Sequence, residues 1–250
     1  MESQMETLAL VAAGAIAGTL NVIAGGGSFL TLPLLIFMGL PPGVANATNR
    51  VAIWMQNVGA VWGFSRHGLI DPALVRRAAI PAAAGAGVGA LLALQVADDD
   101  FRRILATLMV VVSLWTLVGP GRSTATPDPA RRARITPMLQ VLFFLVGVYG
   151  GFIQAGVGFF LLAATTLSGL DLVRGNALKV TAVLVWTTVA LSIFAWNGQI
   201  DWARGFALGI GNLAGGQLGV RLTVIKGHGW VRAVVTVMIL IFAARLWLGA

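Results

Sequence analysis

Two stretches decide the fold: AGGGSFLTLPLLIFMGLPPGVANATNR at 24–50 and its weaker echo AGVGFFLLAATTLSGLDLVRGNALK at 155–179. Each opens on a glycine cluster and runs through a short apolar segment. Each then turns at Gly-Leu and reaches an Asn-Ala followed by one cation. The likeness continues outward. FSRHGLID at 64–71 matches FAWNGQID at 194–201, Gly85 and Gly89 match Gly215 and Gly219, and Arg102 matches Arg232. Matches kept in order at a shift of 130 to 131 residues define an internal repeat.

Around these stretches the chain is mostly apolar. It is 58% hydrophobic and 10% charged over 250 residues, against about 45–50% and about 25% in soluble domains. That much apolar surface requires lipid as its solvent. The net charge of +8 lies between apolar segments, where it reads as loop charge governing topology, not as a nucleic-acid surface. There are no cysteines, which excludes disulfides and thiolate metal sites. Glu2 and Glu6 precede the first apolar run, where a cleaved signal would carry basic residues; the expectation is that this run is retained.

Ten apolar segments are expected, at about 8–24, 28–40, 47–64, 74–97, 102–119, 137–153, 158–170, 176–196, 202–220 and 231–248. A spanning helix needs about 20 residues. The segments 28–40 and 158–170 are too short and follow the glycine clusters, so each either spans in a distorted form or re-enters. The polar stretch PGRSTATPDPARRARI at 120–135 reads as a linker. The expected architecture is therefore an all-α, polytopic membrane helix bundle. Its first membrane repeat is 1–119, its linker 120–135 and its second repeat 136–250, with about five apolar segments and one short glycine-broken segment in each.

An odd number of crossings per half inverts the second half relative to the first. With the N-terminus outside, 12 of the 17 Lys and Arg residues fall inside, among them Arg66, Arg76, Arg77, Arg131, Arg132, Arg174 and Lys179. The positive-inside rule then favours both termini outside and a cytoplasmic linker.

Inverted repeats with glycine-interrupted segments are the architecture in which broken helices bind substrate near mid-membrane. The candidates for binding are the backbones of Gly25, Gly26, Gly27, Gly156 and Gly158, with Ser28 at a helix start that faces an anion favourably. Close helix packing is the competing role for such glycines. A second constellation follows: Asn46, Thr48, Asn49 and Arg50 in the first half, Asn176 and Lys179 in the second. Each places a polar cluster and one cation at the entry of an apolar helix, where the two cations would approach from opposite faces. Helix capping by the asparagines and snorkelling of the cations to headgroups are the alternatives. Asn21 and Gln154 adjoin the two glycine clusters and join the candidate set. Gln56, Asn57, Asn212 and Gln217 are read as joining helices.

Asp71 and Asp201 occupy matched G-x-I-D positions and read as helix N-caps. The run Asp98-Asp99-Asp100 reads as a solvated loop without the spacing of a calcium loop. No carboxylate falls firmly inside a segment, which disfavours a carboxylate proton relay or an acidic-ring cation channel. With His67 and His228 both expected in loops, no catalytic constellation, metal site or cofactor site is found, and no enzymatic activity is expected. A cavity of amides, hydroxyls, helix N-termini and cations suits an anion.

At these residues the sequence resembles the sulfite exporter TauE/SafE (TSUP) family. The resemblance rests on the N-terminal helix running into AGGGSFLTLPLLIFMGLPPGVANATNRVAI, on the degenerate copy at 155–181, and on repeat, length and linker. It implies a multi-pass bacterial inner-membrane carrier of sulfur-containing anions: sulfite, thiosulfate, sulfoacetate or a related sulfonate. It places the family's signature regions on Gly25 to Ser28 with Asn46 to Arg50, and on Gly156 to Gly158 with Asn176 to Lys179. The second copy departs from the first at Leu178 for Thr48 and Val157 for Gly26. A secondary transporter is the expectation, with a passive anion channel as the alternative. The partners expected are a small anion and the lipid bilayer, with no nucleic acid. The coupling ion, proton or sodium, and homo-oligomerisation stay open.

Overall fold

The computed structural model describes residues 2–23, 25–118 and 134–247, with side chains described for 4–23, 25–108, 111, 134–171 and 173–225. Most of the linker, and the C-terminal tip, lie outside the described residues. Among the described residues the chain is all helix: α1 (Glu2–Ile23), α2 (Ser28–Phe37), α3 (Pro42–Arg66), α4 (Pro72–Ala93), α5 (Asp98–Val118), α6 (Pro137–Phe152), α7 (Val157–Leu167), α8 (Leu172–Trp196) and α9 (Trp202–Trp247).

Three expectations are corrected here. The last two apolar segments form one continuous helix of 46 residues, α9, so the second half has four described helices where five were expected. The turn between α4 and α5 is marked by the three aspartates that begin α5. Its counterpart, VIKGHGW at 224–230, has glycines that can end a helix but no Asp, Asn, Ser, Thr or Pro to start the next one. His228 therefore lies in a helix, whereas His67 does follow α3. The aspartates 98–100 also occupy a first helical turn, where carboxylates complement the helix dipole.

Positive backbone φ occurs at six glycines and at no other described residue: Gly25, Gly39, Gly68, Gly156, Gly169 and Gly198. They fall into three repeat pairs, 25 with 156, 39 with 169 and 68 with 198. Helix packing repeats as well. Gly85 on α4 lies against the backbone of Phe144 and Val148 on α6, and Gly215 on α9 against that of Ala15 and Thr19 on α1. Gly147 lies against Ala82, as Gly18 does against Asn212. A methyl at any of these four would strike backbone, so small residues set the α4–α6 and α1–α9 distances. Each half thus packs its first helix on the fourth helix of the other half.

Helices α3 and α8 run antiparallel through the centre. Trp54 Nε1 donates to Thr188 Oγ1 at 3.0 Å, and Ala60 and Phe64 pack with Ala177 and Val180. This defines two ends of the bundle. At one, Gly43 N donates to Asp98 Oδ1 at 2.9 Å, Asp201 N to Thr48 Oγ1 at 3.0 Å and Arg204 Nε to Glu6 Oε1 at 2.7 Å. The start of α1 and the end of α2 share that end. At the other, Arg134 N donates to Ser168 O at 3.1 Å, so the start of α6 and the end of α7 lie together. Each broken pair is a helical hairpin that begins and ends at one end of the bundle, and that end differs between the two halves. With 10 and 11 residues, α2 and α7 rise only about 15–17 Å, roughly half of a bilayer's hydrocarbon core.

The outer surface is apolar. Leu8, Ile16, Ile80, Leu91, Val141, Leu145, Phe206 and Ile210 are all exposed, as befits a lipid-facing bundle. Gln4–Ile23 and Val173–Trp196 are long and apolar enough to cross a membrane; α2, α6 and α7 are apolar but shorter. Trp62, Trp196 and Trp202 are exposed near helix ends, where aromatic side chains favour the membrane–water interface.

Candidate functional site

The helix breaks meet. Gly25, Gly26 and Gly27 follow α1, Ile153 to Gly156 follow α6, and both stretches are buried. Gly25 and Gly158 touch backbone to backbone, with no room for a Cβ on either. The Phe159 ring covers Gly26 and stacks on Phe29 with centroids 6.5 Å apart. Tyr149 OH donates to Ala155 O at 2.7 Å and pins the second break.

A helix that stops inside a protein leaves its last carbonyls without intrahelical partners. Here each end is closed by side chains of the other half. Arg50, on α3, donates through Nη1 to Gly150 O at 2.9 Å and to Gln154 Oε1 at 2.9 Å, and through Nη2 to Gly151 O at 2.6 Å. Asn46 Nδ2 donates to Phe152 O at 2.9 Å. Lys179, on α8, donates through Nζ to Asn21 O at 3.2 Å and to Val22 O at 2.8 Å. Asn176 Nδ2 reaches Ile23 O at 3.5 Å. The two sets correspond residue for residue at a shift of 129 to 130: Arg50 to Lys179, Asn46 to Asn176, and 150–152 to 21–23.

The cations are therefore not at helix entries. Helices α3 and α8 begin at Pro42 and Leu172, earlier than expected, because Pro42 stands in the first turn and Asp171 caps α8 through Val173 N and Arg174 N. The Asn-Ala clusters thus fall in the second turn, inside the bundle. Arg50 and Lys179 are essentially inaccessible to solvent, and Arg50 Cζ lies 4.9 Å over the Phe194 ring. The asparagines are in helices and cap other helices' ends, not their own.

The expected residues separate into two groups. Gly25, Gly26, Gly27, Ser28, Asn46, Asn49, Arg50, Gln154, Gly156, Gly158, Asn176 and Lys179 gather at or beside the breaks. Asn49 Oδ1 accepts from Thr31 Oγ1 at 2.7 Å, a hydroxyl that sequence reasoning passed over although it lies one turn beyond Ser28. Asn21 contributes its carbonyl, while its side chain donates to Gln56 Oε1 at 3.1 Å. Thr48 is turned away and accepts from Asp201 N. Asp71 and Asp201 cap α4 and α9 through backbone N–H groups.

Among the described residues, several buried polar atoms here have no protein partner: Ser28 Oγ, Asn46 Oδ1, Asn49 Nδ2, Arg50 Nε and Asn176 Oδ1. Buried polar groups are normally satisfied, so this concentration marks a place where a polar guest gains hydrogen bonds. Charge points the same way. Among the described residues no buried carboxylate faces Arg50 or Lys179; the ion pairs lie at exposed or half-buried positions such as Arg102–Asp99 and Arg204–Glu6. The two helix C-termini supply about half a negative charge each, which offsets only part of the two cations. Among the described residues, no group of three His, Cys, Asp or Glu side chains is placed to hold a metal ion.

The sequence profile of the sulfite exporter TauE/SafE family matches residues 10–246. Relatives include "Probable membrane transporter protein ORF9" of Sinorhizobium sp, 30% identical over 95% of this chain and 90% of that protein. "Probable membrane transporter protein YfcA" of Escherichia coli K12 is 30% identical over 92% of this chain and 86% of its own length. A "Probable membrane transporter protein" of Haemophilus influenzae is 27% identical over 98% and 96%. No solved structure matches the chain. Helical hairpins, paired breaks and a family match across nearly the whole length lead to one conclusion: this membrane protein belongs to the sulfite exporter TauE/SafE family.

Proposed function

We propose that the protein is a secondary transporter of a small sulfur-containing anion: sulfite, thiosulfate, sulfoacetate or a related sulfonate. The observation that carries this reading is the pair of buried cations, Arg50 and Lys179, held at the two helix breaks with no carboxylate between them among the described residues. Burying a charge is costly unless it is compensated. Helix ends compensate only part of two cations, and an anion that arrives with its own charge supplies the remainder. The starts of α2 and α7, at Ser28 and Val157, add N–H groups and the positive end of each helix dipole. The unpartnered Ser28 Oγ and Asn49 Nδ2 add donors.

In this reading the halves are inverted repeats and α1–α2 and α6–α7 are re-entrant hairpins, each dipping to mid-membrane. The three pairs of positive-φ glycines and the opposed hairpin ends support it. The protein lies in the bacterial inner membrane with its N-terminus outside. The end carrying Arg66, Arg76, Arg77, Arg134 and Arg174 is cytoplasmic, in keeping with the positive-inside rule. Alternating access arises as one half rocks against the other around the Gly25–Gly158 contact.

The test is uptake and efflux of radiolabelled sulfite, thiosulfate and sulfoacetate in proteoliposomes. Saturable flux of one of them is the expected result. Fast, non-saturating flux would replace the carrier with an anion channel, and no flux of any of the three from folded protein would overturn the substrate class.

A further inference from the structure

The free carbonyls at the end of a discontinuous helix are where broken-helix carriers hold a coupling cation such as sodium. In this protein those carbonyls are taken. Asn21 O and Val22 O receive the Lys179 ammonium at 3.2 and 2.8 Å, and Ile23 O receives the Asn176 amide. Gly150 O and Gly151 O receive the Arg50 guanidinium at 2.9 and 2.6 Å, and Phe152 O receives the Asn46 amide. Every side-chain atom that meets these six carbonyls is a nitrogen bearing hydrogen. A hard cation seeks oxygen ligands and is repelled by such donors. Nor does a carboxylate stand nearby to help bind one: among the described residues all buried ionisable side chains are these two cations.

We infer that Lys179 and Arg50 are tethered cations occupying the two positions where a sodium-driven carrier of this design holds its coupling ion, so that anion transport here needs no sodium ion at either break. This rests on the anion-carrier reading above. Each cation joins one half's central helix to the other half's broken helix, so it fixes the break and supplies the positive charge at once. In this scheme Lys179 and Arg50 therefore serve both as tethers of the helix ends and as the charge that the anion meets.

The experiment has two arms. In proteoliposomes, sulfite, thiosulfate or sulfoacetate flux is measured with sodium and with N-methylglucamine as the only alkali-replacing cation on both sides. In detergent, melting of the wild type, Lys179→Arg and Lys179→Ala is followed in sodium chloride, N-methylglucamine chloride and methylammonium chloride. The wild type is expected to keep its flux within twofold and its melting temperature in all three salts. Lys179→Arg keeps flux within about fivefold, while Lys179→Ala loses at least tenfold and is stabilised by methylammonium, which restores an ammonium to the vacated carbonyls. A tenfold fall of wild-type flux on removing sodium, a sodium-dependent rise in wild-type melting temperature, or wild-type flux in Lys179→Ala without sodium would each overturn the inference. Absence of any wild-type anion flux would instead sink the carrier reading, and the melting arm alone would then decide whether these are tethered cations.

Discussion

Gly25 and Gly158 are the point at which the two halves touch through backbone alone. Gly25 holds φ at +85°, and a Cβ on either glycine would strike the other's backbone. Glycine is required at position 25 for two independent reasons, conformation and space, and at 158 for space. Because the contact joins the tip of one hairpin to the tip of the other, its tightness sets the separation of the two helix breaks.

Gly25→Ala should therefore cost about 1–3 kcal/mol from backbone strain alone, and more once the tips are forced apart. Gly158→Ala should damage packing without the strain. Both are expected to lower anion flux at least tenfold. Gly39→Ala supplies the control: it has the same positive φ, +89°, but nothing near its added Cβ. It should cost stability with little effect on flux, so equal flux losses at 25 and 39 would refute a special role for the tip contact.

Arg50 tests how the break is held. It makes three hydrogen bonds, to Gly150 O, Gly151 O and Gln154 Oε1. Bonds to a charged donor contribute about 1.5–3 kcal/mol each at most, and unmet buried acceptors are costly. Arg50→Gln should lower the melting temperature strongly and abolish flux. Arg50→Lys keeps the charge but not the planar fork that spans neighbouring carbonyls, so it should retain stability better than flux. If Arg50→Gln leaves flux rate and affinity unchanged, the charge has no part in transport.

The repeat-related asparagines should not be equal. Asn46 reaches Phe152 O at 2.9 Å, whereas Asn176 is 3.5 Å from Ile23 O, at the limit of a hydrogen bond. Asn46→Ala should cost about 1–3 kcal/mol and Asn176→Ala distinctly less, read as melting temperatures in detergent. A larger loss from Asn176→Ala would mean that the first break, which Asn176 closes at Ile23 O, depends more on its asparagine than the second does.

Much of this arrangement was legible from sequence because it repeats. The glycine clusters, the Asn-Ala with its cation, the G-x-I-D caps and the short segments each occur twice, and chance does not keep such items in register. What sequence could not give was the partner of each cation. Arg50 and Asn46 lie one turn apart on α3, as Lys179 and Asn176 do on α8, so their shared face was readable; that they close helices of the opposite half depends on how the halves dock. A clue was available in the ends of α1 and α6, which run into Gly-rich or Gln-Ala-Gly sequence without any basic residue to cap them. Gln154 was found only because it adjoins the break. It belongs to a two-residue insertion, Ile153-Gln154, that the first half lacks. The unbroken α9 departs from the repeat for the opposite reason: the repeat leads to the expectation of a turn, but after Gly227 and Gly229 no capping residue starts a new helix.

The hairpin geometry makes a prediction about sidedness, which the absence of cysteine allows to be tested cleanly. Pro41 follows α2 and Arg174 lies in the first turn of α8, and both are exposed. If α1–α2 and α6–α7 both re-enter, position 41 returns to the side where α1 begins, and position 174 lies on the other side, where α6 begins. Pro41→Cys should then react with an impermeant maleimide added to intact spheroplasts, together with a cysteine at Gln4. Arg174→Cys should react only after the membrane is opened, together with a cysteine at Arg66. Neither substitution removes a buried contact, so folding should be preserved. Labelling of 41 and 4 from opposite sides would mean that α1 and α2 together make a single crossing. The first half would then cross four times with α3, α4 and α5, an even number that leaves the second half uninverted, and the hairpin reading would fall.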